Sequence, residues 1–220
     1  MIVMKRIVCY FFTAVFLIAA MTGCTVSKLE LSKLESGGQF SFPGLRPGAS
    51  HQEAEEVLGF SLGNATEQTG PFPIYGKDNA TLVCYFPKET PFTVLGQPVE
   101  TNYTFLEDSL CNMTMTMEFD TGQSKEIEKM ISILTESYGE PDIHYTEETP
   151  WGSGMMMTIT DHRWIRQGED YYTVLVCGVA DLTKTSNPRY SVQLSLLYNE
   201  WTDVSELLSA YEEKLKRLEQ

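Results

Sequence analysis

Three histidines, His51, His144 and His162, are the side chains of this 220-residue chain best suited to acid–base or metal chemistry near neutral pH. No two of them stand three to five residues apart, the spacing that places two metal ligands on one helix face. His144 and His162 share a stretch of chain with Glu147, Glu148 and Asp161. A hydrolase would need a convergent site such as His144, His162 and Glu148. Trp151-Gly152-Ser153-Gly154 sets a serine between two glycines but lacks the Gly-x-Ser-x-Gly elbow, and it reads as a loop beside an aromatic anchor. P-loop, dinucleotide and calcium-loop patterns are absent, as are Cys-x-x-Cys pairs. The expectation is a protein that is not an enzyme, with no catalytic residue, no metal and no cofactor. Three cysteines in the body of the chain, Cys84, Cys111 and Cys177, each sit in an apolar run. An odd count makes an incomplete disulfide framework, so they read as small buried thiols. If one bridge forms, Cys84–Cys111 is the better pairing, because both lie in the first half.

The elements that must position these groups are legible from hydrophobic period. Ser50-His51-Gln52-Glu53 fits a capping box and opens a short helix to Leu58, closed by Gly59. Strand signals follow at Thr81–Phe86, at Phe92–Phe105 with a bend near Gly96 and Pro98, and at Leu110–Phe119. In the last, Cys111, Met113, Met115, Met117 and Phe119 alternate with Asn112, Thr114, Thr116 and Glu118, so one face is buried and one is wet. Glu107-Asp108 is the hairpin turn between the second and third runs. Gly122–Tyr138 is a helix with Ile127, Met130, Ile131, Leu134 and Tyr138 on one stripe, stopped by Gly139 and Pro141. A loop over Asp142–Gly154 leads to strands at Met155–Ile165, Tyr171–Val179 and Tyr190–Tyr198. Asp203–Leu218 is a C-terminal amphipathic helix whose stripe is Val204, Leu207, Leu208, Tyr211, Leu215 and Leu218. The expected fold class is α+β: tandem α-β-β-β units, 40–119 and 120–220, forming antiparallel sheet backed by helices.

The first 24 residues are of a different kind. Lys5 and Arg6 precede an apolar stretch from Ile7 to Met21, too short for a spanning helix and right for a signal-peptide core. Thr22, Gly23 and Cys24 follow, and small residues before a cysteine resemble the lipobox of bacterial lipoproteins. That resemblance implies a signal peptide over 1–23, cleavage between Gly23 and Cys24, and diacylglycerol on the Cys24 thiol. Two or three acyl chains suffice for stable membrane anchoring, at about 0.8 kcal/mol per buried CH₂. Residues 24–39, with two copies of Ser-Lys-Leu-Glu and then Gly37-Gly38, read as a flexible tether between the membrane and the folded part. Asn-x-Thr sequons at Asn64, Asn79, Asn102 and Asn112 would be glycan sites in a eukaryotic secreted protein. In a bacterium they read as ordinary strand and loop residues.

Charge narrows the partners. Sixteen basic against 30 acidic residues give a formal charge of −14, and loss of Lys5 and Arg6 with the signal would take it to −16. Such a chain repels phosphate backbones, which excludes general nucleic-acid binding, and gains nothing by charge from anionic headgroups. A helix ending in Leu58-Gly59 or Tyr138-Gly139-Glu140-Pro141 and followed by a three-strand meander resembles the small repeat of bacterial outer-membrane assembly lipoproteins. In tandem it resembles the fold of the secreted β-lactamase inhibitory protein. Those resemblances imply a sheet backed by helices on one face, with the exposed face or the loops binding another protein. The expected role is a membrane-anchored, extracytoplasmic, non-catalytic binding or scaffold lipoprotein. It would be held on the membrane by lipid on Cys24, would face the outer side, and would have a protein partner. An envelope hydrolase and a small-ligand-binding lipoprotein are the alternatives. Trp151, Trp164, Tyr171 and Tyr172 are the candidate interaction surface, because aromatics dominate interface energetics.

Overall fold

The computed structural model describes residues 27–72, 75, 77–88, 92–151, 155–169, 171–199 and 204–218. The chain opens with β1 (Ser27–Leu29), a 3-10 turn over Leu31–Lys33, and a small hairpin of β2 (Glu35–Ser36) and β3 (Gln39–Phe40). Helix α1 (His51–Leu58) leads to β4 (Ala65–Phe72), β5 (Lys77–Tyr85), β6 (Phe92–Val94), β7 (Gln97–Pro98), β8 (Glu100–Leu106) and β9 (Ser109–Phe119). Helix α2 (Ser124–Tyr138) then leads to β10 (Ile143–Trp151), β11 (Met155–Gln167), β12 (Tyr172–Asp181) and β13 (Tyr190–Asn199). The last described element is α3 (Val204–Leu218). Among the described residues no helix is long and apolar enough to cross a membrane.

Local chemistry sets the boundaries. The Ser50 hydroxyl accepts from the Glu53 amide at 3.3 Å while the Glu53 carboxylate accepts from the Ser50 amide at 2.8 Å, and Gly59 closes α1 with φ 75°. Glu107 and Asp108 both take positive φ, 51° and 65°, the backbone of a two-residue hairpin turn, and join β8 to β9. The Asp108 carboxylate also accepts from the His51 amide at 3.1 Å, which ties this turn to the start of α1.

Eight strands form one antiparallel sheet in the order β10-β11-β12-β13-β9-β8-β5-β4. Each half runs inward from an outer edge, and the two last strands, β9 and β13, pair in the middle. Met113, Met115 and Met117 stand opposite Leu196, Leu194 and Val192, all on the helix side and all buried. Helix α2 carries the chain from β9 to the far edge at β10. Its 15 residues span about 22 Å, close to the roughly 19 Å of four strand spacings. Ile127, Met130 and Leu134 of α2 and Ala54 of α1 join the Met113–Met117 core, together with Trp164, Leu175 and Cys177.

The fold is thus α+β with a helix-backed antiparallel sheet, and it departs from expectation in three places. Each helix is followed by four strands of this sheet rather than three. The additional strands are β4 and β10, in segments that read as loops, and both are sheet edges. β4 is exposed along most of its length and contains Gly70 and Pro71, so it carries almost no apolar alternation.

The second departure is the N-terminal segment, which is packed rather than a tether from Ser27 onward. β1 pairs in parallel with β6, and Leu29, Leu31 and Leu34 are buried. The Leu34 amide donates to the Tyr138 hydroxyl at 2.8 Å, which donates onward to the Leu31 carbonyl at 2.5 Å. Thr173, fully buried, accepts from the Phe40 amide and donates to the Gln39 side chain, both at 2.9 Å. The Ser-Lys-Leu-Glu repeats place leucines at 29 and 34 that reach the α2 side of the core. The third departure is a register shift between Thr104 and Phe105 that leaves Cys111 unpaired in β9. Leu110 takes the core position, and Cys111 turns to a separate cluster with Tyr75, Ala80 and Leu106.

Leu34→Ala is expected to cost about 2–5 kcal/mol, the range for truncating a fully buried leucine. Tyr138→Phe is expected to cost about 1–3 kcal/mol by leaving the Leu34 amide without its acceptor. Urea unfolding of the full chain measures both, and losses within about 0.5 kcal/mol would mean that residues 27–40 are not part of the core.

Candidate functional site: the open face of the sheet

Helices α1 and α2 and the N-terminal segment cover one face of the large sheet. The other face carries the odd-numbered residues of β10 and β11, the even-numbered residues of β12 and the odd-numbered residues of β13, by strict alternation and register. One cross-strand row on that face is Tyr145, Asp161, Gly178 and Gln193. The Tyr145 hydroxyl donates to Asp161 Oδ2 at 2.8 Å, and Arg163 donates to the same oxygen from Nη2 at 2.6 Å and from Nε at 3.0 Å. Burial and then the neighbouring Asp161 push the Tyr145 phenol up, so it stays a hydrogen-bond donor at neutral pH. Asp161 is 5% exposed, and its other oxygen, Oδ1, has no hydrogen-bond partner among the described residues.

Helix α3 borders this row on the β10 side. The Arg163 guanidinium lies 4.4 Å from the centre of the Tyr211 ring. Lys214 donates to Glu147 at 2.7 Å and to the Tyr145 hydroxyl at 3.1 Å. None of the described α3 side chains is buried, and Leu208 and Leu218 remain exposed. A groove of about 460 Å³ opens beside Asp161 and Arg163. Its floor is apolar, from Ile159, Val176 and Ala180, and the Arg189–Glu118 ion pair stands at its far side.

The residues singled out in the sequence fall in several places. Gly23 and Cys24 lie outside the described residues, as does the signal segment. Trp164 is fully buried on the helix side, with its indole donating to the Gly139 carbonyl at 2.7 Å. Tyr172 is 5% exposed and lies on the opposite face, where its hydroxyl accepts from Asn199 at 3.1 Å. Neither can contribute to an exposed aromatic surface, because the sheet alternation sends both into packing. Tyr171 is half-buried against Tyr198, and Trp151 pairs through its backbone with Met155. Its side chain is not among those described.

Cys84, Cys111 and Cys177 are free thiols. Cys84 is on β5 and Cys111 on β9, with β8 between them; two strand spacings of about 4.8 Å exceed the reach of a disulfide. Thr104 occupies the gap, its hydroxyl 3.5 Å from the Cys84 sulfur and its carbonyl accepting from Cys111 at 3.3 Å. Burial pushes the Cys111 thiol up to about 11 and Cys177 up to about 12, so both stay protonated and unreactive.

Among the histidines, the fold brings two together. His144 and His162 are cross-strand partners with ring centres 4.5 Å apart. Glu148 lies four residues farther along β10 than His144, about 13 Å away, so the set His144, His162 and Glu148 does not converge. Asp161 points to the other face. His51 stacks on Tyr85 with ring centres 4.4 Å apart. Among the described residues no three His, Cys, Asp or Glu side chains converge as a metal site would need.

Sequence reading missed the row of Tyr145, Asp161, Gly178 and Gln193. The signal was available in β11, where Asp161 and Arg163 alternate with His162 and Trp164. No protein-family model, no curated protein and no solved structure matches the chain.

His162 is 9% exposed with Nδ1 unpartnered, and burial, then the His144 imidazole, hold it below its ordinary value of 6.5. The folded state thus disfavours the proton that the unfolded chain accepts. The stability this histidine contributes is complete above about 6.5 and is lost as pH falls through the lower folded value. Urea unfolding is expected to show stability falling below pH 6.5, with the His162 ring protons titrating below 6.5 by NMR. Titration of His162 at or above 6.5 would contradict the arrangement.

Proposed function

We propose that this chain is a lipid-anchored lipoprotein of the bacterial cell envelope. It faces the extracytoplasmic side and works as a non-catalytic binding module whose binding surface is the open face of the sheet. The observation that carries the reading is the asymmetry of the sheet. One face is sealed by two helices and the N-terminal segment, while the other keeps a groove of about 460 Å³ with a buried carboxylate at its wall. A concave site with an apolar floor and a few oriented polar groups is the usual form of a binding site. His144 and His162 stand apart from Glu148, so that particular set does not form a hydrolase site.

Anchoring is the second part of the proposal, and its support is the run from Ile7 to Cys24. Only Thr25 and Val26 separate Cys24 from β1, a span of at most about 11 Å of extended chain. Lipid on Cys24 would therefore hold the folded body close against the bilayer rather than on a long leash. The α-β repeat organisation belongs to the same reading: two helix-plus-strand units that share one sheet and present a common outer face to a partner.

Replacing Cys24 with alanine is expected to leave an uncleaved precursor or to move the protein out of the acyl-labelled membrane fraction. Metabolic labelling with a palmitate analogue, followed by fractionation, reads this. Equal labelling and equal membrane association of the wild-type and Cys24→Ala chains would refute the anchor.

A further inference from the structure

Gly178 lies at the centre of the open-face row, between Asp161 and Gln193. Its backbone is ordinary strand, so conformation does not require glycine. A Cβ built there would meet nothing closer than Asp161 Oδ1 at 3.8 Å and the Gln193 carbonyl at 4.0 Å. The missing side chain leaves a notch in the groove floor, and Asp161 Oδ1, shielded from water and without a partner among the described residues, lies 3.8 Å from where that Cβ would sit. A buried, ionised acceptor without a donor is costly, and a ligand that supplies one recovers that cost. Asp161 Oδ2 is already saturated by Tyr145 and Arg163, and Glu118 by Arg189, so Oδ1 is the acceptor left over. Beyond the notch the floor is aliphatic.

We propose that this notch binds an alkylammonium group, with the nitrogen on Asp161 Oδ1 and the carbon stem along the cross-strand pair Ile159 and Ala180. This deepens the binding-module reading and rests on it. The occupant is a lysine side chain of a partner or a free aliphatic amine, which share this chemistry. The net charge of −14 over the whole chain favours the approach of a cation to the protein as a whole. Anions and neutral apolar molecules of the same shape leave Oδ1 unpaired and are rejected.

The test is calorimetric titration of the full chain, purified in detergent, with four probes: butylamine, Nα-acetyl-lysine N-methylamide, butanol and butyrate. Both amines are expected to bind saturably, and butanol and butyrate at least about tenfold more weakly. A tenfold difference corresponds to about 1.4 kcal/mol. Gly178→Val fills the notch and is expected to weaken both amines at least tenfold while leaving the melting temperature within a few degrees. Asp161→Asn, which keeps the shape and removes the charge, is expected to do the same to binding. Tighter binding of the lysine derivative than of butylamine assigns the site to a partner's lysine, and the reverse order assigns it to a free amine; both support the proposal. No saturable amine binding, butyrate binding as tight as butylamine, or amine binding unchanged in Gly178→Val would overturn it. If a protein partner is captured equally by wild-type and Gly178→Val protein, the alkylammonium site fails while the binding-module reading stands.

Discussion

The pairing of β9 with β13 is the constraint on which the rest of the molecule depends. Among the described residues it is the only strand pair in the large sheet that joins the half before α2 to the half after it. Its helix-side residues, Met113, Met115 and Met117 against Leu196, Leu194 and Val192, are at most 7% exposed. Methionine suits such a seam, because an unbranched side chain fills the irregular space between two meanders and two helices. Without this pairing α2 would have no sheet to cross and Tyr138 would not reach Leu31 and Leu34. The open face would be two separate strips. On the outer side of the same seam Thr114 and Ser195 hydrogen-bond at 3.1 Å, so the seam is closed on both faces.

Legibility in the sequence followed burial. The three helices were readable because each has a cap, a stripe or a stop, and the inner strands because apolar alternation marks a strand with one covered face. β4 and β10 were not, since edge strands are stabilised by one neighbour and keep polar residues. The N-terminal segment reads as a tether because its leucines, at 29, 31 and 34, are too few to signal a core by themselves. They are buried by partners 60 to 140 residues away in sequence, such as Phe92 and Tyr138. Cys111 went astray through a bulge, which shifts the face of one residue and leaves no mark on composition.

The site was the least legible part, for a related reason. β11 carries two functions on alternate residues. His162 and Trp164 pack inward, while Asp161 and Arg163 build the groove wall outward. Read as a run, the segment offers aromatics and histidines, and these drew attention because they are chemically versatile. Register with β12 makes the difference, since it sets Asp161 beside Gly178, and a glycine in a strand interior marks a place where something else comes close.

The claim that both halves are one cooperative body, with a single sheet whose outer face is the working surface, is tested most directly by native-state hydrogen exchange on the full chain. Amides of β9 and β13 are expected to be the slowest to exchange and to share one opening free energy equal to that of global unfolding, with α2 and the Leu31–Leu34 segment close behind. Exchange of β4 to β9 at a free energy distinct from that of β10 to β13 would show two separable units and contradict the account.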